Sequence, residues 1–346
     1  MNFSEQIIEW YYKNKRSLPW RNCSDLYKIW LSEIILQQTR VQQGLPYFNS
    51  FIEKYPTIEL LAKASENEVL KLWQGLGYYS RARNMHATAK EITEKYNGIF
   101  PNDYKKILSL KGVGPYTAAA ICSFAYNLPY AVVDGNVIRV LSRFFGIQTP
   151  FDSNEGKKAF QQLAQELLIK EKAGENNQAI MEFGALQCKP KSPNCKLCPL
   201  EDGCFAFNNK MIAALPKKAK KIKIRKRYFE FFIINNKDKI FIQKRENGIW
   251  KGLYQFPLIE NTVKKSESTI KTSKEWNSLF TKPIKILQIS PTIKHQLTHQ
   301  NIFARFWHVE SKTKTIADSK SVNKKELKNY PIPRLLEKYL ENIGMI

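Results

Sequence analysis

Four cysteines just past the middle of the chain constrain its fold more than any other feature. Six, two and five residues separate them, at Cys188, Cys195, Cys198 and Cys204. Thiolates this close together can enclose one metal centre, and the single CxxC pair fits a 4Fe-4S cluster better than a zinc ribbon, which usually has two such pairs. Zinc remains the alternative. Disulfides fit less well, because Met1–Arg16 has the pattern of an amphipathic helix rather than a secretory signal.

The charge of the chain indicates a polyanionic partner. Its 346 residues include 55 Lys and Arg against 31 Asp and Glu, which leaves a net charge of +24. Such an excess favours nucleic acid binding that weakens with salt, although lysines that only solvate surface helices are the alternative. No apolar run approaches the length of a membrane span. We therefore expect a soluble, monomeric, cytoplasmic protein, nucleoid-associated in a bacterium, without a membrane partner.

The pattern of apolar residues changes twice along the chain, whose length leaves room for two domains. Residues 1–204 show helical spacing almost throughout, which predicts an all-α domain. Residues 205–227 hold nine basic and no acidic residues, and they predict a linker lying along a charged partner. Residues 228–346 predict an α+β domain with a hairpin. Its expected elements are strands at Tyr228–Ile234, Lys239–Gln243 and Ile302–Val309 and a helix at Ile332–Asn342.

A turn with two glycines joins two predicted helices in the segment Leu108–Ala118. Pro115 follows the second glycine at the first helical position, where a missing N–H costs nothing. Bare amides at such a turn and helix start can hold phosphate oxygens. The turn around Lys111, Gly112 and Gly114 therefore predicts a helix-hairpin-helix element that holds the DNA backbone without reading sequence. An ordinary turn between core helices is the alternative.

Two carboxylates in the helical region have the properties of catalytic groups. Asp134 precedes a helical pattern and is well placed as an N-cap, and the amide hydrogen bonds of a cap would keep it ionised. Glu33 has Ile29, Trp30 and Leu36 as helical neighbours, so burial would raise its pKa. A protonated acid beside an ionised carboxylate is the arrangement that breaks glycosidic bonds. A simple cap and a solvent-facing glutamate are the alternatives.

The order of these motifs resembles that of the helix-hairpin-helix DNA glycosylases, and most closely that of the adenine DNA glycosylases. The likeness is strong over Glu5–Cys204. Besides the hairpin, Asp134 and the cysteines, it rests on Leu18-Pro19-Trp20-Arg21, Trp30 to Val41 and Gly75 to Asn84. The resemblance implies a base excision repair enzyme that removes adenine mispaired with 8-oxoguanine or guanine. Its partner would be double-stranded DNA carrying the A:8-oxoguanine or A:G mispair, and its cofactor the 4Fe-4S cluster.

The resemblance also implies roles for individual residues. Glu33 would protonate the departing adenine and Asp134 would stabilise the sugar cation, with Tyr116 and Asn136 beside them. The residues lining the adenine pocket would be Trp20, Arg21 and Glu182. The residues wedged into the duplex would be Gln38 and Tyr78. Phosphate contacts would come from Lys111, Gly112, Gly114, Lys189 and Lys191.

One position distinguishes the chain from endonuclease III, which has a lysine just after the hairpin that attacks the sugar. Tyr116 stands at this position, which implies a monofunctional glycosylase. An endonuclease III-like glycosylase and lyase acting on oxidised pyrimidines is the alternative enzyme. A non-enzymatic DNA-binding module is a third possibility, but it has no use for the paired carboxylates.

Residues 228–346 resemble the Nudix-like domain that recognises 8-oxoguanine in this family. Gly248–Pro257 looks like a Nudix start, but no Arg-Glu…Glu-Glu box follows to hold magnesium, so nucleotide hydrolysis is not expected. Leu297-Thr298-His299 matches the loop that inspects the oxidised base, with Thr where Ser is more familiar. The full prediction is an all-α glycosylase domain with a 4Fe-4S loop, a basic linker, and an α+β Nudix-like domain.

Overall fold

A computed structural model describes residues 2–21, 23, 25–219, 224–311 and 315–346. The chain forms two compact units, one of Met1–Lys63 with Asn84–Lys221 and one of Ala64–Arg83 with Ile222–Ile346. The first is helical and the second is α+β, which confirms the predicted fold class. None of the helices in the described ranges has the length and apolar character needed to cross a bilayer.

The helical region consists of short to medium helices joined by brief loops. In chain order they are α1 (Phe3–Asn14), α2 (Leu26–Leu36), α3 (Val41–Lys54), α4 (Ile58–Lys63), α5 (Glu66–Leu72), α6 (Ser80–Tyr96), α7 (Tyr104–Ser109), α8 (Pro115–Tyr126), α9 (Gly135–Phe145), α10 (Asn154–Glu166), α11 (Ala173–Leu186) and α12 (Phe205–Asn208). Two 3-10 turns follow α10 and α11, at Lys170–Lys172 and Cys195–Leu197.

Side-chain caps fix where several of these helices begin. Asn2 and Ser65 form capping boxes at α1 and α5, each with a glutamate three residues later. These caps satisfy backbone amides that have no partner within the helix. Inside the first unit, α1, α9 and α11 pack around a common apolar cluster that includes Ile8, Val140 and Phe183. This packing sets the start of α9 against α11, and both contribute to the site described below.

The second unit contains an eight-stranded sheet. Its strands are β1 (Arg225–Asn236), β2 (Lys239–Lys244), β3 (Tyr254–Gln255), β4 (Leu258–Asn261), β5 (Lys285–Ile289), β6 (Ile293–Gln296), β7 (Gln300–Glu310) and β8 (Lys320–Asn323). The order is β3-β2-β1-β7-β5, with β4 on β1, β6 on β7 and β8 on β2. The predicted hairpin is confirmed, since β1 and β2 pair antiparallel, and β1 also pairs with β7 in parallel over eleven residue pairs.

Helices cover both faces of this sheet. They are α13 (Glu267–Lys271), α14 (Lys274–Leu279) and α15 (Arg334–Asn342), with a 3-10 segment at Lys324–Asn329. Phe231 on β1 faces the cluster under α15, whereas Phe232 faces the cluster that includes Trp276 of α14. Because neighbouring strand residues point to opposite faces, β1 is apolar without interruption from Phe231 to Ile234.

Each unit is built from two separate stretches of the chain, which the order of the motifs in the sequence does not indicate. Ala64–Arg83 groups with the second unit. There the Gln74 side chain donates to Glu337 at 2.6 Å and accepts the Ile332 amide at 3.2 Å. The predicted linker contains α12 and the start of β1, while its residues 220–223 lie outside the described ranges. The domain boundaries at 204 and 227 therefore stay a prediction.

A buried ion pair in the sheet gives a test of the second unit. Glu230 accepts two hydrogen bonds of 2.9 Å from Arg305 and one of 2.8 Å from the Trp307 indole. Glu230→Gln leaves the mostly buried guanidinium without its charge partner, so we expect a loss of about 3 kcal/mol in the free energy of unfolding. Urea unfolding monitored by tryptophan fluorescence measures it. Glu341→Gln, which removes an exposed partner of Arg334, should change the midpoint little. Equal shifts in both variants would contradict the prediction.

Candidate active site

A cavity of about 1140 Å³ opens in the first unit between α2, the glycine turn, the start of α9 and α11. The structure brings together around it many of the residues predicted from the sequence, namely Trp20, Arg21, Glu33, Gln38, Gly112, Gly114, Tyr116, Asp134, Asn136 and Glu182. Other predicted residues lie elsewhere. Lys111, Lys189 and Lys191 are exposed on the same unit, and Tyr78 and Leu297–His299 belong to the second unit.

Glu33 lies inside α2 with only 7% of its surface exposed. Its helix is capped by Asp25, whose carboxylate accepts two backbone amides, and is buried over most of its length. Burial raises the pKa of Glu33 to about 7, a hydrogen bond with Tyr116 lowers it, and the negative charge of Asp134 raises it. A carboxyl with this pKa is protonated in a large fraction of molecules at neutral pH, as a general acid must be.

Asp134 caps α9, as the sequence predicts. One carboxylate oxygen accepts the amides of Asn136 and Val137 at 2.8 Å, and the other accepts the Asn136 side chain at 2.7 Å. Burial raises the pKa of Asp134 above its ordinary value, because it outweighs these hydrogen bonds and the charge of Arg139, which lower it. The cap position in the sequence indicates these hydrogen bonds but not the burial of the carboxylate, which opposes them.

Tyr116 stands in the first turn of α8 and contacts the acid directly. Its side chain hydrogen-bonds the Glu33 carboxyl, and its hydroxyl lies 3.9 Å from the Met181 sulfur. Burial and the nearby charges of Glu33 and Asp134 hold the pKa of Tyr116 well above its ordinary value. The hydroxyl therefore stays protonated at neutral pH and can donate to the carboxyl there.

Glu182 on α11 is the second buried glutamate of the cavity, but its surroundings differ from those of Glu33. Arg16 donates to it at 2.8 and 2.5 Å, and Arg21 at 2.9 and 2.7 Å. Burial raises the pKa of Glu182, but these two arginines outweigh it and lower the pKa to about 2. Glu182 is thus an ionised anchor that fixes two guanidinium groups at the cavity wall.

Three further residues of the cavity wall were missed by the sequence reasoning. They are Arg16, Gln178 and Arg139. Gln178, whose carbonyl accepts the Tyr11 hydroxyl at 2.8 Å, lies four residues before Glu182, and this helical spacing could have indicated it. Arg139 donates to the Asn136 carbonyl at 2.9 Å and to the Cys188 backbone at 2.7 Å. An arginine within the apolar run from Val137 to Leu141 was the available signal.

The predicted glycine turn lies between α7 and α8. Gly112 has a φ of +80°, and a Cβ added there would lie 2.7 Å from the Asn84 Cβ, so conformation and space both require glycine. Gly114 is the N-cap of α8 and Pro115 occupies its first position. Gln38, at the cavity wall, is exposed and also has a positive φ of 55°.

Comparison with known proteins identifies the family to which both parts of the chain are related. Residues 31–168 match the family model of the HhH-GPD superfamily base excision DNA repair proteins, and residues 230–342 match that of the NUDIX domain. The adenine DNA glycosylase of Buchnera aphidicola subsp. Baizongia pistaciae (strain Bp) is 38% identical, over 87% of this chain and 84% of its own. That of Buchnera aphidicola subsp. Acyrthosiphon pisum (strain APS) is 34% identical, over 98% and 97%.

This chain belongs to the adenine DNA glycosylase family. It is similar in structure to a thermostable thymine-DNA glycosylase, with a TM-score of 0.55 and 31% identity over 60% of this chain and 95% of the other. The predicted family and enzyme class are therefore confirmed, and the cavity belongs to a DNA glycosylase. The individual roles of its residues remain predictions.

The four cysteines of this glycosylase lie together after α11. Arg143 joins two of them, since its guanidinium lies 3.4 Å from the Cys188 sulfur and its carbonyl oxygen lies 3.6 Å from the Cys204 sulfur. Burial raises the pKa of Cys198 to about 11, and the other three thiols act on it in the same direction. Within the described ranges, no three His, Cys, Asp or Glu side chains converge closely enough to hold a single ion. Four cysteine sulfurs beside a guanidinium are a donor set that suits an anionic metal–thiolate centre.

In the second unit, Leu297-Thr298-His299 forms the tip between β6 and β7. The turn closes with the Leu297 amide on the Gln300 carbonyl at 2.9 Å. Thr298 and His299 are exposed. The Thr298 hydroxyl lies 2.5 Å from that of Tyr78, whose ring is 46% exposed. Two of the residues predicted to face DNA from this unit, Tyr78 and Thr298, are thus joined by a hydrogen bond.

The tyrosine hydrogen bond to Glu33 leads to a prediction about pH. Base release should fall as pH rises through about 7, because Glu33 loses its proton there. Tyr116→Phe removes an interaction that lowers the pKa of Glu33, so the fall should move to higher pH. Single-turnover rates between pH 5 and 9 measure it. Tyr104→Phe, at a tyrosine stacked on Tyr130, is the matched control. An unchanged or lower midpoint in Tyr116→Phe would contradict the prediction.

Proposed function

We propose that this enzyme hydrolyses the N-glycosidic bond of adenine paired with 8-oxoguanine or guanine. The observation that carries the proposal is the pair of carboxyls at one cavity wall. Glu33 is buried with a pKa of about 7, and Asp134 is close enough for its charge to raise that pKa. The names of the relatives support adenine as the base.

The two carboxyls have different tasks in this mechanism. Glu33 gives its proton to N7 of adenine, so the electron pair of the breaking bond leaves on a neutral base. Asp134 stabilises the positive charge that develops on the sugar, as a preorganised anion does most effectively in a site that excludes water. Water then supplies a hydroxyl to the sugar carbon and releases a proton. Tyr116 and Asn136 hold the two carboxyls in place through the hydrogen bonds described above.

Base flipping would bring the adenine into the cavity. We assign Gln38 and Tyr78 to the space that the base leaves in the duplex, and Trp20 and Arg21 to the pocket wall. Glu182 acts on this pocket through Arg16 and Arg21, since its own oxygens accept their hydrogen bonds. The backbone contacts would be made by Lys111, Gly112, Gly114, Lys189 and Lys191.

The proposal includes monofunctional chemistry. A lyase of this fold needs an amine near the sugar carbon to form a Schiff base. Among the described residues that line the cavity there is no lysine, and Tyr116 occupies the expected position. Borohydride should therefore trap no covalent adduct with DNA. Efficient trapping would favour the endonuclease III-like alternative.

Recognition of 8-oxoguanine is assigned to Leu297-Thr298-His299. The Thr298 hydroxyl offers both a donor and an acceptor, which can distinguish the oxidised base from guanine. The cysteines Cys188, Cys195, Cys198 and Cys204 are assigned to a 4Fe-4S cluster, whose four irons hold thiolates farther apart than one zinc ion does. When bound, the cluster would brace the loop that carries Lys189 and Lys191.

Substitution of the acid tests the function. Glu33→Gln keeps the shape of the side chain but cannot transfer a proton, so adenine release from an A:8-oxoguanine duplex should fall by at least about 10³-fold, while duplex affinity stays near that of the wild type. Product analysis under single-turnover conditions measures the release. The control is Glu9→Gln, which makes the same change at an exposed glutamate of α1. Full activity in Glu33→Gln would refute the acid, and no adenine release by the wild type would refute the substrate.

Metal analysis tests the cluster. The purified protein should be brown, absorb in the visible and contain about four irons per chain. Cys198→Ser should lower the iron content and the affinity for DNA together. Cys122→Ser, at a buried cysteine of α8, should leave the iron content unchanged. One zinc per chain without iron would favour the zinc alternative.

A further inference from the structure

The start of β1 carries three consecutive basic residues, Arg225, Lys226 and Arg227, to which the proposed function assigns no role. β1 and β7 run parallel, with Arg225 opposite Gln300 and Lys226 opposite Asn301. Parallel strands in register begin at the same edge of a sheet. The basic run therefore lies at the edge where residues 297–299 connect β6 to β7.

The distance between the basic run and this loop is short. The Arg225 amide donates to the His299 carbonyl at 3.0 Å. Lys226, Asn301 and Gln296 occupy one row across three neighbouring strands. With strands about 4.8 Å apart, the backbone of Lys226 lies about 10 Å from that of Gln296, directly before the loop.

The three basic residues differ in their surroundings. Arg227 is half-buried, with its guanidinium 4.8 Å from the Phe229 ring and paired with Glu260. The charge of Arg227 is thus neutralised by Glu260 within the domain. Arg225 and Lys226 are exposed, and within the described ranges neither forms an ion pair. The residues outside those ranges include no Asp or Glu. Arg225 and Lys226 therefore present two uncompensated positive charges beside the loop.

Arg225 and Lys226 are exposed and point in different directions, an arrangement that suits binding to a phosphodiester backbone better than binding to a base. They are successive strand residues and so point to opposite faces of the sheet, one on each side of the strand end. Long cationic side chains without fixed partners bind phosphate as mobile charges and carry no sequence information. A folded acidic protein would need a defined complementary surface, whereas a DNA strand crossing the sheet edge can meet both charges.

We propose that Arg225 and Lys226 bind phosphates of the strand whose base Leu297-Thr298-His299 inspects. The inference rests on the proposed function of that loop. Base reading and backbone binding are then carried out by different residues at the same edge of the sheet. The loop reads the base, and the two basic residues hold the backbone on either side of β1, which supplies affinity irrespective of the base.

Salt dependence of binding tests the role of the two residues. The full-length chain would be titrated with duplexes in which a 2′-fluoro adenosine, which resists excision, lies opposite 8-oxoguanine. The slope of log K against log salt falls by about 0.9 for each phosphate that the protein no longer neutralises. The double variant Arg225→Gln/Lys226→Gln should therefore reduce the slope by up to about 1.8. Lys239→Gln/Lys285→Gln removes the same charge at the opposite edge of the sheet and should leave the slope nearly unchanged.

A second arm separates backbone binding from base reading. Arg225→Gln/Lys226→Gln should weaken binding to 8-oxoguanine and guanine duplexes by the same factor. Thr298→Ala should reduce the preference for 8-oxoguanine and leave the slope as it is. A slope change in the β1 double variant no larger than that of the control pair overturns the inference. If the wild type shows no preference for 8-oxoguanine, the proposed function of the loop fails instead, while the slopes still decide whether the two residues bind phosphate.

Discussion

Desolvation of one carboxyl is the constraint on which the site depends. Glu33 sits in a helix that is buried over most of its length, and a rise of its pKa from 4.5 to about 7 corresponds to about 3 kcal/mol against its charged form. This net rise already includes the hydrogen bond from Tyr116, which lowers the pKa. The fold therefore holds a proton where a leaving base would need one, and it does so by the apolar packing of α2 rather than by a dedicated partner.

The cavity contains a second buried glutamate, Glu182, whose pKa is lowered rather than raised. Glu182 is less exposed than Glu33, at 1%, yet its pKa is lowered to about 2 because the side chains of Arg16 and Arg21 each donate two hydrogen bonds and the Arg16 amide donates a further one. Burial alone therefore does not decide the charge of a carboxyl. The number of cationic donors decides it, and the same residue type is an acid on α2 and an anionic anchor on α11.

The sequence contained the local part of this arrangement. Apolar neighbours at helical spacing predicted the burial of Glu33, the cap position predicted the hydrogen bonds of Asp134, and two glycines predicted the turn before α8. What it did not contain was the long-range part. Arg16 reaches Glu182 across 166 positions of the chain, and Ala64–Arg83 joins a unit whose other residues begin at 222. Spacing rules describe neighbours on one element, and these contacts are set by the packing of several elements.

The position of Arg139 shows how the local and long-range parts are connected. Its guanidinium donates to the Asn136 side chain, to the Gly184 backbone and to the Cys188 backbone. Asn136 in turn donates to Asp134, so one buried cation spans the start of α9, the end of α11 and the cysteine segment. Because each acceptor lies on a different element, a small displacement of any of them would lengthen the others. The Asp134 carboxylate is therefore held directly by the start of α9 and indirectly, through Asn136 and Arg139, by the backbone oxygens of Gly184 and Cys188.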